Sequence, residues 1–266
     1  MEKTGYLGPA GSYSRLAAEK LCPTSEQVAY PSFPLVISSL VSGESDGIVL
    51  PIENTLNGAV LQNIDLLQST PDIMAVGECV IKIEHRLVTL KGASLGGIKR
   101  IYSHSQALEQ CSKYLGEKFP AAELVPVRST AACLDLIKNS SEAGIVGSHI
   151  KCGNFCLSTE NIADDDHNFT HFLLVKKVLK GFDGKSDKIY FSVTCPNRSG
   201  ALVGLLQRIA GFGLNMTKIE SRPVKNTPDE YRFFIETEGD YSAEEIKLAI
   251  EDVKKNSLSF KLLGCY

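Results

Sequence analysis

The sequence lacks any apolar stretch of about 20 residues, the length that spans a bilayer. Its first segment, MEKTGYLGPAGSYS, also lacks the apolar core of a secretory signal. The sequence therefore shows neither the usual feature of a membrane protein nor that of a secreted protein. We therefore expect a cytoplasmic protein that has no membrane partner.

An excess of charge of either sign is also missing. Lys and Arg together number 28, Asp and Glu number 31, and the formal net charge is -3. No dense basic stripe alternates with aromatic residues, so nucleic acid is disfavoured as a partner. Hydrophobic residues make up 43% and charged residues 22% of the 266 positions, which is ordinary for a globular protein of one large or two ordinary domains.

The eight cysteines have neither a secretory context nor the paired spacings of a structural zinc site. Cys152 and Cys156 are the closest pair, and His149 and His167 lie near them in the sequence. Structural zinc usually shows tighter pairs and a full set of four ligands. We therefore expect reduced thiols and no metal.

The last third of the chain follows a segment without apolar periodicity, LKGFDGKSDK, which predicts a linker over residues 179–187. Beyond it, the patterns predict a strand, a helix over 199–212, two strands, a helix over 242–255 and a final strand. The order βαββαβ is typical of a ferredoxin-like unit, here residues 188–266. The exposed edges of such a sheet favour self-association.

Residues 1–178 alternate short apolar strands with helical stretches, which indicates an α/β domain with a mainly parallel sheet. Several strands run directly into small polar residues. Ligands bind at the carboxyl ends of strands in open α/β sheets, so these strand exits are expected to converge on one cleft.

The turn over residues 8–14, GPAGSYS, follows a strand and opens a helix. Its glycines let the backbone approach a ligand, and the helix N-terminus offers unpaired N–H groups to an anion. An equally good interpretation is a tight turn in which Ser12 or Ser14 caps the helix.

Three further segments place polar groups at strand ends. PIENT, residues 51–55, supplies a carboxylate, an amide and a hydroxyl, although Thr55 would also serve as a helix cap. SHSQALEQ, residues 103–110, sets Gln106 and Gln110 on one helical face, where glutamines are often simply solvated. In STAAC, residues 129–133, Ser129 or Thr130 caps a helix.

A last segment, NIADDDHNFTHFLLV, sets three aspartates before Thr170, His171, Phe172 and an apolar strand. Taken in order, these segments resemble prephenate dehydratases, which carry a glycine-proline loop and Pro-x-Glu-Asn-Ser, Ser-His-x-Gln, Ser-Thr-Ala and Thr-Arg-Phe segments. The C-terminal part resembles an ACT domain, with the string ESRP at residues 220–223. The resemblance covers essentially the whole chain.

The resemblance implies a catalytic domain of two α/β subdomains around a cleft, like a periplasmic binding protein, followed by the ACT domain. It also implies that no chorismate mutase precedes Tyr6. Carried over residue by residue, it implies a catalytic group of Thr170, Asn54, Ser103 and Gln110. It implies neighbouring substrate-binding residues at Glu53, His104, Gln106, Thr130, His171 and Phe172.

The chemistry that the family performs is the loss of water and carbon dioxide from prephenate, which gives phenylpyruvate in phenylalanine biosynthesis. That reaction makes an aromatic ring and needs no cofactor, only groups that fix two carboxylates and assist the departing hydroxide. A threonine hydroxyl can donate a hydrogen bond to the leaving oxygen. Thr170 is the best catalytic candidate, with His104, Glu53 or water as the proton source.

The chain departs from the family at His171, where the family motif has arginine. Arginine offers a permanent charge and a planar fork for a carboxylate, whereas histidine near neutral pH usually has no charge. If His171 binds substrate, affinity is expected to improve as pH falls through the mid-6 range. Arg15 is expected to return some positive charge to the cleft.

ACT domains of this family bind phenylalanine where two copies meet, so the resemblance implies feedback inhibition and a homodimer or homotetramer. The implied phenylalanine site consists of Asn197, Gly200, Ala201, Leu202, Glu220, Ser221, Arg222 and Pro223. An ACT pair that only clamps a dimer is the alternative to a regulatory site. For the whole chain, the alternatives are an arogenate dehydratase and a catalytically dead sensor of amino acids or aromatic acids.

Overall fold

The computed structural model describes residues 1–151, 153–178, 184–224, 227 and 230–266. Cys152 and residues 179–183 of the expected linker lie outside the described residues. Within that part of the chain, no helix is both long enough and apolar enough to cross a membrane.

The strands are β1 Lys3–Leu7, β2 Glu26–Tyr30, β3 Gly47–Asn54, β4 Gly58–Ala59, β5 Ile73–Lys82, β6 His85–Leu90, β7 Arg100–Ser103, β8 Glu123–Pro126, β9 Glu142–Gly147, β10 Phe155–Leu157, β11 Phe169–Lys177, β12 Lys188–Thr194, β13 Met216–Pro223, β14 Tyr231–Glu238 and β15 Ser259–Cys265. The helices are α1 Tyr13–Leu21, α2 Phe33–Ser42, α3 Leu61–Ser69, α4 Ser105–Gln110, α5 Ser112–Lys118, α6 Ala201–Gly211 and α7 Glu244–Lys255. Short 3-10 helices cover Leu95–Gly97 and Ala131–Asp135.

The chain folds as two compact units, each made of two chain segments. The first unit is Met1–Val60 with Cys79–Phe172, and the second is Leu61–Glu78 with Leu173–Tyr266. The mixture of parallel strands and helices confirms the expected α/β class.

In the first unit, β1 pairs in parallel with β2 and β3, and β4 folds back on the end of β3. A separate sheet has the order β10-β6-β9-β7-β8, in which β7 is parallel to both β8 and β9. The pairs β6–β9 and β10–β6 are antiparallel, so this sheet is mixed rather than mainly parallel. Two sheets with flanking helices fit the expected arrangement of two subdomains.

Local chemistry explains how the helices of the first unit begin. The Ser12 hydroxyl accepts a hydrogen bond from the Arg15 backbone N–H at 3.2 Å, so Ser12 caps α1 as one interpretation of the turn had it. Thr55 does not cap a helix, because its hydroxyl donates to the His167 carbonyl at 2.6 Å and α3 begins only at Leu61. The STAAC segment forms a single 3-10 helix, where Ser129 accepts from the Ala132 N–H at 3.2 Å.

The second unit contains the expected βαββαβ order, with sheet order β13-β14-β12-β15 and a contact from β15 to the start of β5. One face of the sheet packs against α6 and α7 through a core of aliphatic and aromatic side chains that includes Ile189, Phe191, Leu205, Ile235 and Ile250. Helix α3 also belongs to this unit: the Ser192 hydroxyl donates to Gln68 Oε1, and the Lys261 ammonium donates to the Leu67 and Gln68 carbonyls at 2.8 and 2.9 Å.

Candidate functional site

Strand exits of the first unit enclose a cavity of about 280 Å³, which we call the amide cavity. Its lining combines the glycine-proline turn with polar side chains from distant parts of the unit: Leu7, Gly8, Pro9, Ser12, Tyr13, Asn54, Ile83, His85, His104, Gln106, Ala107, Gln110, Arg128, Ser129, Thr130 and Asn168. The segments that the sequence singled out therefore do converge on one cleft.

Asn54, at the end of β3, organises one side of the amide cavity. Its Oδ1 accepts hydrogen bonds from the backbone N–H groups of Leu56 and Asn57, both at 3.1 Å. Because backbone N–H groups can only donate, this end of the amide is the oxygen and the other end is the NH2 group. The two hydrogens of that NH2 group are shared among three acceptors, Asn168 Oδ1 at 2.7 Å, Thr170 Oγ1 at 3.0 Å and the Phe169 carbonyl at 3.1 Å.

The orientation of Asn54 determines the orientation of the next two amides. Since Asn168 Oδ1 is an acceptor, Asn168 Nδ2 is a donor, and it donates to Gln110 Oε1 at 3.2 Å. Gln110 Oε1 also lies 2.8 Å from Nε2 of the buried His85. The oxygen of Gln110 is thus occupied by two donors, and its NH2 group has no partner among the described residues.

The hydrogen bond between Asn54 and Thr170 also has a defined direction. The Thr170 side chain is buried beside Asn54, and its oxygen accepts a hydrogen bond from the Asn54 amide. An amide NH2 group cannot accept, so the Thr170 hydroxyl hydrogen is not used in this contact. Within the network two donors are therefore not used: the NH2 group of Gln110, a residue that lines the amide cavity, and the O–H of the buried Thr170, which does not line it.

Other expected site residues lie around this network with different roles. His104 caps α4, where its Nδ1 accepts from the Gln106 N–H at 3.3 Å, and both residues line the amide cavity together with Thr130. Ser103 is fully buried, and its hydroxyl donates to the Ile145 carbonyl at 2.8 Å. Ser103 does not line the amide cavity, and its hydrogen bond to Ile145 of β9 holds the end of β7 in place.

Glu53, Thr170, His171 and Phe172 are not among the lining residues of the amide cavity. Glu53 is half-buried in β3 opposite Ala59 of β4. Along β11, Thr170 and Phe172 are buried and His171 between them is half-buried, and successive side chains of a strand point to opposite faces. The half-buried His171 thus faces away from Thr170.

Arg128 is a residue that the sequence interpretation missed. It lines the amide cavity, its side chain is exposed, and it makes no ion pair with any carboxylate of the described residues. Arg15, expected to supply charge, instead pairs with Glu19 at 2.8 Å and lines a separate cavity of about 490 Å³ in the same unit. The sequence feature that could have identified Arg128 is its place directly before Ser129 and Thr130.

His85 and Asn168 were also missed, although both line the amide cavity. Burial lowers the pKa of His85, and the hydrogen bond to Gln110 only partly offsets that effect. The imidazole is therefore neutral near pH 7. Among the described residues, no group of three or more His, Cys, Asp and Glu side chains is placed to hold a metal ion.

The expected amino-acid site falls in the second unit. Gly200 has a left-handed backbone, with φ of 78°, and immediately precedes α6, which begins with Ala201 and Leu202. Asn197 is exposed in the loop before it. Residues Glu220–Pro223 lie at the end of β13, the outer strand of the ACT sheet, where Arg222 Nη2 lies 3.4 Å from Asp65 Oδ2 of α3.

Comparisons with known proteins agree with this architecture. The family model for prephenate dehydratase matches residues 4–179, and the model for the ACT domain matches residues 189–255. The chain is 35% identical over 266 residues to the bifunctional chorismate mutase/prephenate dehydratase of Neisseria gonorrhoeae, covering 98% of this chain and 73% of that protein. It is 34% identical over 272 residues to the prephenate dehydratase of Lactococcus lactis, covering 99% and 97%.

The fold is also similar to that of the prephenate dehydratase from Arthrobacter aurescens, crystallised in complex with L-phenylalanine. The TM-score is 0.87 at 28% sequence identity, over 99% of this chain and 89% of that one. The match of fold, motif order and sequence covers both the catalytic part and the C-terminal part. The chain belongs to the prephenate dehydratase family and carries a C-terminal ACT domain.

Proposed function

We propose that the amide cavity converts prephenate to phenylpyruvate, and that L-phenylalanine bound to the ACT domain turns this reaction down. The observation that carries the proposal is the polarity of the Asn54–Asn168–Gln110 network, which leaves the Thr170 hydroxyl and the Gln110 NH2 as donors. Prephenate has two carboxylates, a keto group and a hydroxyl, so it offers acceptors to these donors.

In the reaction, the bond between the ring and its carboxylate breaks, and its electron pair enters the ring as carbon dioxide leaves. At the opposite ring carbon, the C–O bond breaks and the hydroxide departs with the electron pair of that C–O bond. The Thr170 hydroxyl donates a hydrogen bond to the departing oxygen as negative charge develops on it. A proton from water or from His104, which caps α4 at the cavity, completes the leaving water molecule.

The side chains around Thr170 orient the substrate. Gln110 and Asn54 belong to the catalytic group with it, and Ser103 supports them from behind. Glu53, His104, Gln106, Thr130 and Phe172 are the proposed neighbours of the substrate, and of these His104, Gln106 and Thr130 line the amide cavity. In this proposal Arg128 rather than His171 provides the cation for a substrate carboxylate, because Arg128 lines the amide cavity and His171 faces away from Thr170.

The regulatory site consists of the loop and first turn of α6 with the end of β13: Asn197, Gly200, Ala201, Leu202, Glu220, Ser221, Arg222 and Pro223. Two observations support it: the similarity to a structure that holds L-phenylalanine, and Gly200 at the N-terminus of α6, where no side chain caps the helix although the Ala201 N–H donates to the Arg198 carbonyl at 3.2 Å. The outer strand β13 would pair with its copy in a homodimer or homotetramer.

In this proposal the catalytic domain spans residues 1–178, the linker 179–187 and the ACT domain 188–266. The reaction itself uses no cofactor. A cytoplasmic location stays a prediction.

The test is turnover by the purified chain with prephenate and with arogenate, each with and without L-phenylalanine. We expect phenylpyruvate from prephenate and a lower rate with L-phenylalanine. A higher specificity constant for arogenate would make the chain an arogenate dehydratase. If neither substrate reacts while L-phenylalanine still binds, the chain is a sensor and the proposed catalytic function is wrong.

A further inference from the structure

His85 is buried at the start of β6, where no catalytic motif of the sequence lies. Only 3% of the residue is exposed, and its backbone is held on both sides. The His85 N–H donates to Asn161 Oδ1 at 2.9 Å, and its carbonyl accepts from the Ile162 N–H at 2.9 Å. The imidazole is therefore placed by contacts that do not involve the amide cavity.

The hydrogen-bond network determines which ring nitrogen carries the proton. Gln110 Oε1 is the oxygen of its amide because Asn168 Nδ2 donates to it, and the orientation of Asn168 follows in turn from Asn54 and two backbone N–H groups. His85 Nε2, 2.8 Å from that oxygen, must then carry the hydrogen and donate it. Nδ1 of His85 is buried and has no hydrogen-bond partner.

We propose that His85 is a positioning residue, whose Nε2–H fixes the side-chain amide of Gln110 with its oxygen inward and its NH2 toward the substrate. Although His85 lines the amide cavity, neither ring nitrogen is available to hydrogen-bond the substrate, since Nδ1 is buried and Nε2 is occupied by Gln110. The contribution of His85 to turnover therefore passes through Gln110. This inference rests on the proposed dehydratase function and adds a residue to its site.

The contact from His85 is shorter than the one from Asn168, 2.8 Å against 3.2 Å, so it is the stronger restraint on the Gln110 oxygen. Without it, only the longer contact from Asn168 opposes rotation of the Gln110 amide, which would present its oxygen to a substrate that is rich in oxygen acceptors. An acceptor facing an acceptor loses the hydrogen bond and adds repulsion.

The first test is kinetic and uses His85→Gln and His85→Asn. A glutamine Nε2 can occupy the place of the imidazole Nε2, whereas the shorter asparagine reaches only the place of Nδ1. We expect His85→Asn to lower kcat/KM for prephenate by about three- to tenfold, the effect of one neutral hydrogen bond, and His85→Gln to recover most of that loss. Thermal unfolding of each variant separates loss of fold from loss of orientation.

The same pair is then compared in a Gln110→Met background. If His85 acts through Gln110, His85→Asn lowers kcat/KM less than about twofold further there, because the two effects are coupled. Equal loss in both backgrounds, or a His85→Gln variant as impaired as His85→Asn with the fold intact, overturns the inference. Absence of turnover by the wild-type chain counts against the proposed function instead.

A second measurement does not depend on activity. In protein labelled with 15N at histidine, long-range 1H–15N correlation spectra report which ring nitrogen is protonated, and His85→Gln identifies the His85 signals. The structure assigns the Nε2–H form near neutral pH. A signal from the Nδ1–H form would show that Gln110 presents its NH2 to His85, and the inference would be wrong.

Discussion

At the scale of single residues, the clearest test concerns Arg128, the cationic side chain proposed to bind a carboxylate of the substrate. Replacing Arg128 by Gln removes the guanidinium that lines the amide cavity and keeps a side chain of similar polarity. Loss of one charged hydrogen bond to a carboxylate is expected to raise KM for prephenate by about tenfold or more, with a smaller change in kcat. Steady-state kinetics measures both constants.

Arg100→Gln is the matched control for Arg128. Arg100 belongs to the same unit, but its Nε lies 2.8 Å from Glu123 and it does not line the amide cavity. We expect its KM to stay within about twofold of wild type, since exposed ion pairs contribute little. If both variants had the same KM as wild type, Arg128 would not bind the substrate.

The sequence identified individual polar residues of the site, but it did not predict the hydrogen bonds that join them. Asn54, Gln110 and Thr170 stand out because each lies in a polar segment at a strand end. Their hydrogen-bond polarity is set by Asn168 and by the Leu56 and Asn57 backbones, which only the folded chain brings together. His85 gave no signal, because it stands between a glutamate and an arginine at the start of an apolar strand.

At the scale of secondary structure, the end of α3 depends on one ammonium group. The Lys261 Nζ on β15 donates to the carbonyls of Leu67, Gln68 and Thr70 at the end of α3. Lys261→Met removes these donors at little cost in volume, and we expect the free energy of unfolding to fall by about 1–3 kcal/mol. Urea denaturation measures the change.

Lys255→Met makes the same substitution at an exposed position on α7. Its expected effect is within about 0.5 kcal/mol, as for most surface changes. Equal stability of the two variants would mean that the Lys261 contacts do not hold α3 in place.

Local patterns located the helices of the ACT part to within two residues, 199–212 against Ala201–Gly211 and 242–255 against Glu244–Lys255. They failed where a side chain had two possible partners. Thr55 has the chemistry of a cap, yet its hydroxyl bonds to His167, 112 positions away. Strands β6 and β9 pair antiparallel although two strands and two α-helices lie between them in the chain, and the alternation of strands and helices alone does not reveal this.

At the scale of the whole molecule, the sequence predicts a division at residues 179–187, but the compact units divide the chain differently. Leu61–Glu78 packs with the C-terminal segment, through contacts such as Gln68 with Ser192 and Glu78 with Lys188 at 2.9 Å. These partners are more than 100 positions apart, so composition shifts along the chain cannot show them. Removing residues 187–266 would therefore also strip α3 of its packing.

The buried His85 and the half-buried His149 make the stability of the folded chain depend on pH. Burial lowers the pKa of both His85 and His149, so the folded protein binds their protons less readily than the unfolded chain, where histidine titrates near about 6.5. Stability is therefore unaffected above that pH and falls as pH drops below it. We expect urea midpoints to decrease between pH 7.5 and 5.5.

His85→Gln and His149→Gln should each make that decrease smaller. His167→Gln serves as the control, because the His167 side chain is 92% exposed. A decrease of the same size in all three variants would assign the pH effect to other groups.

In the proposed mechanism, the Thr170 oxygen accepts from Asn54 and its hydroxyl hydrogen is donated to the leaving oxygen of prephenate. The most direct measurement is kcat for phenylpyruvate formation by wild type, Thr170→Ser and Thr170→Val, with circular dichroism to confirm the fold. We expect Thr170→Ser to keep most of the activity and Thr170→Val, nearly isosteric but without the hydroxyl, to lose at least about a hundredfold in kcat. A folded Thr170→Val variant with near wild-type kcat would contradict it.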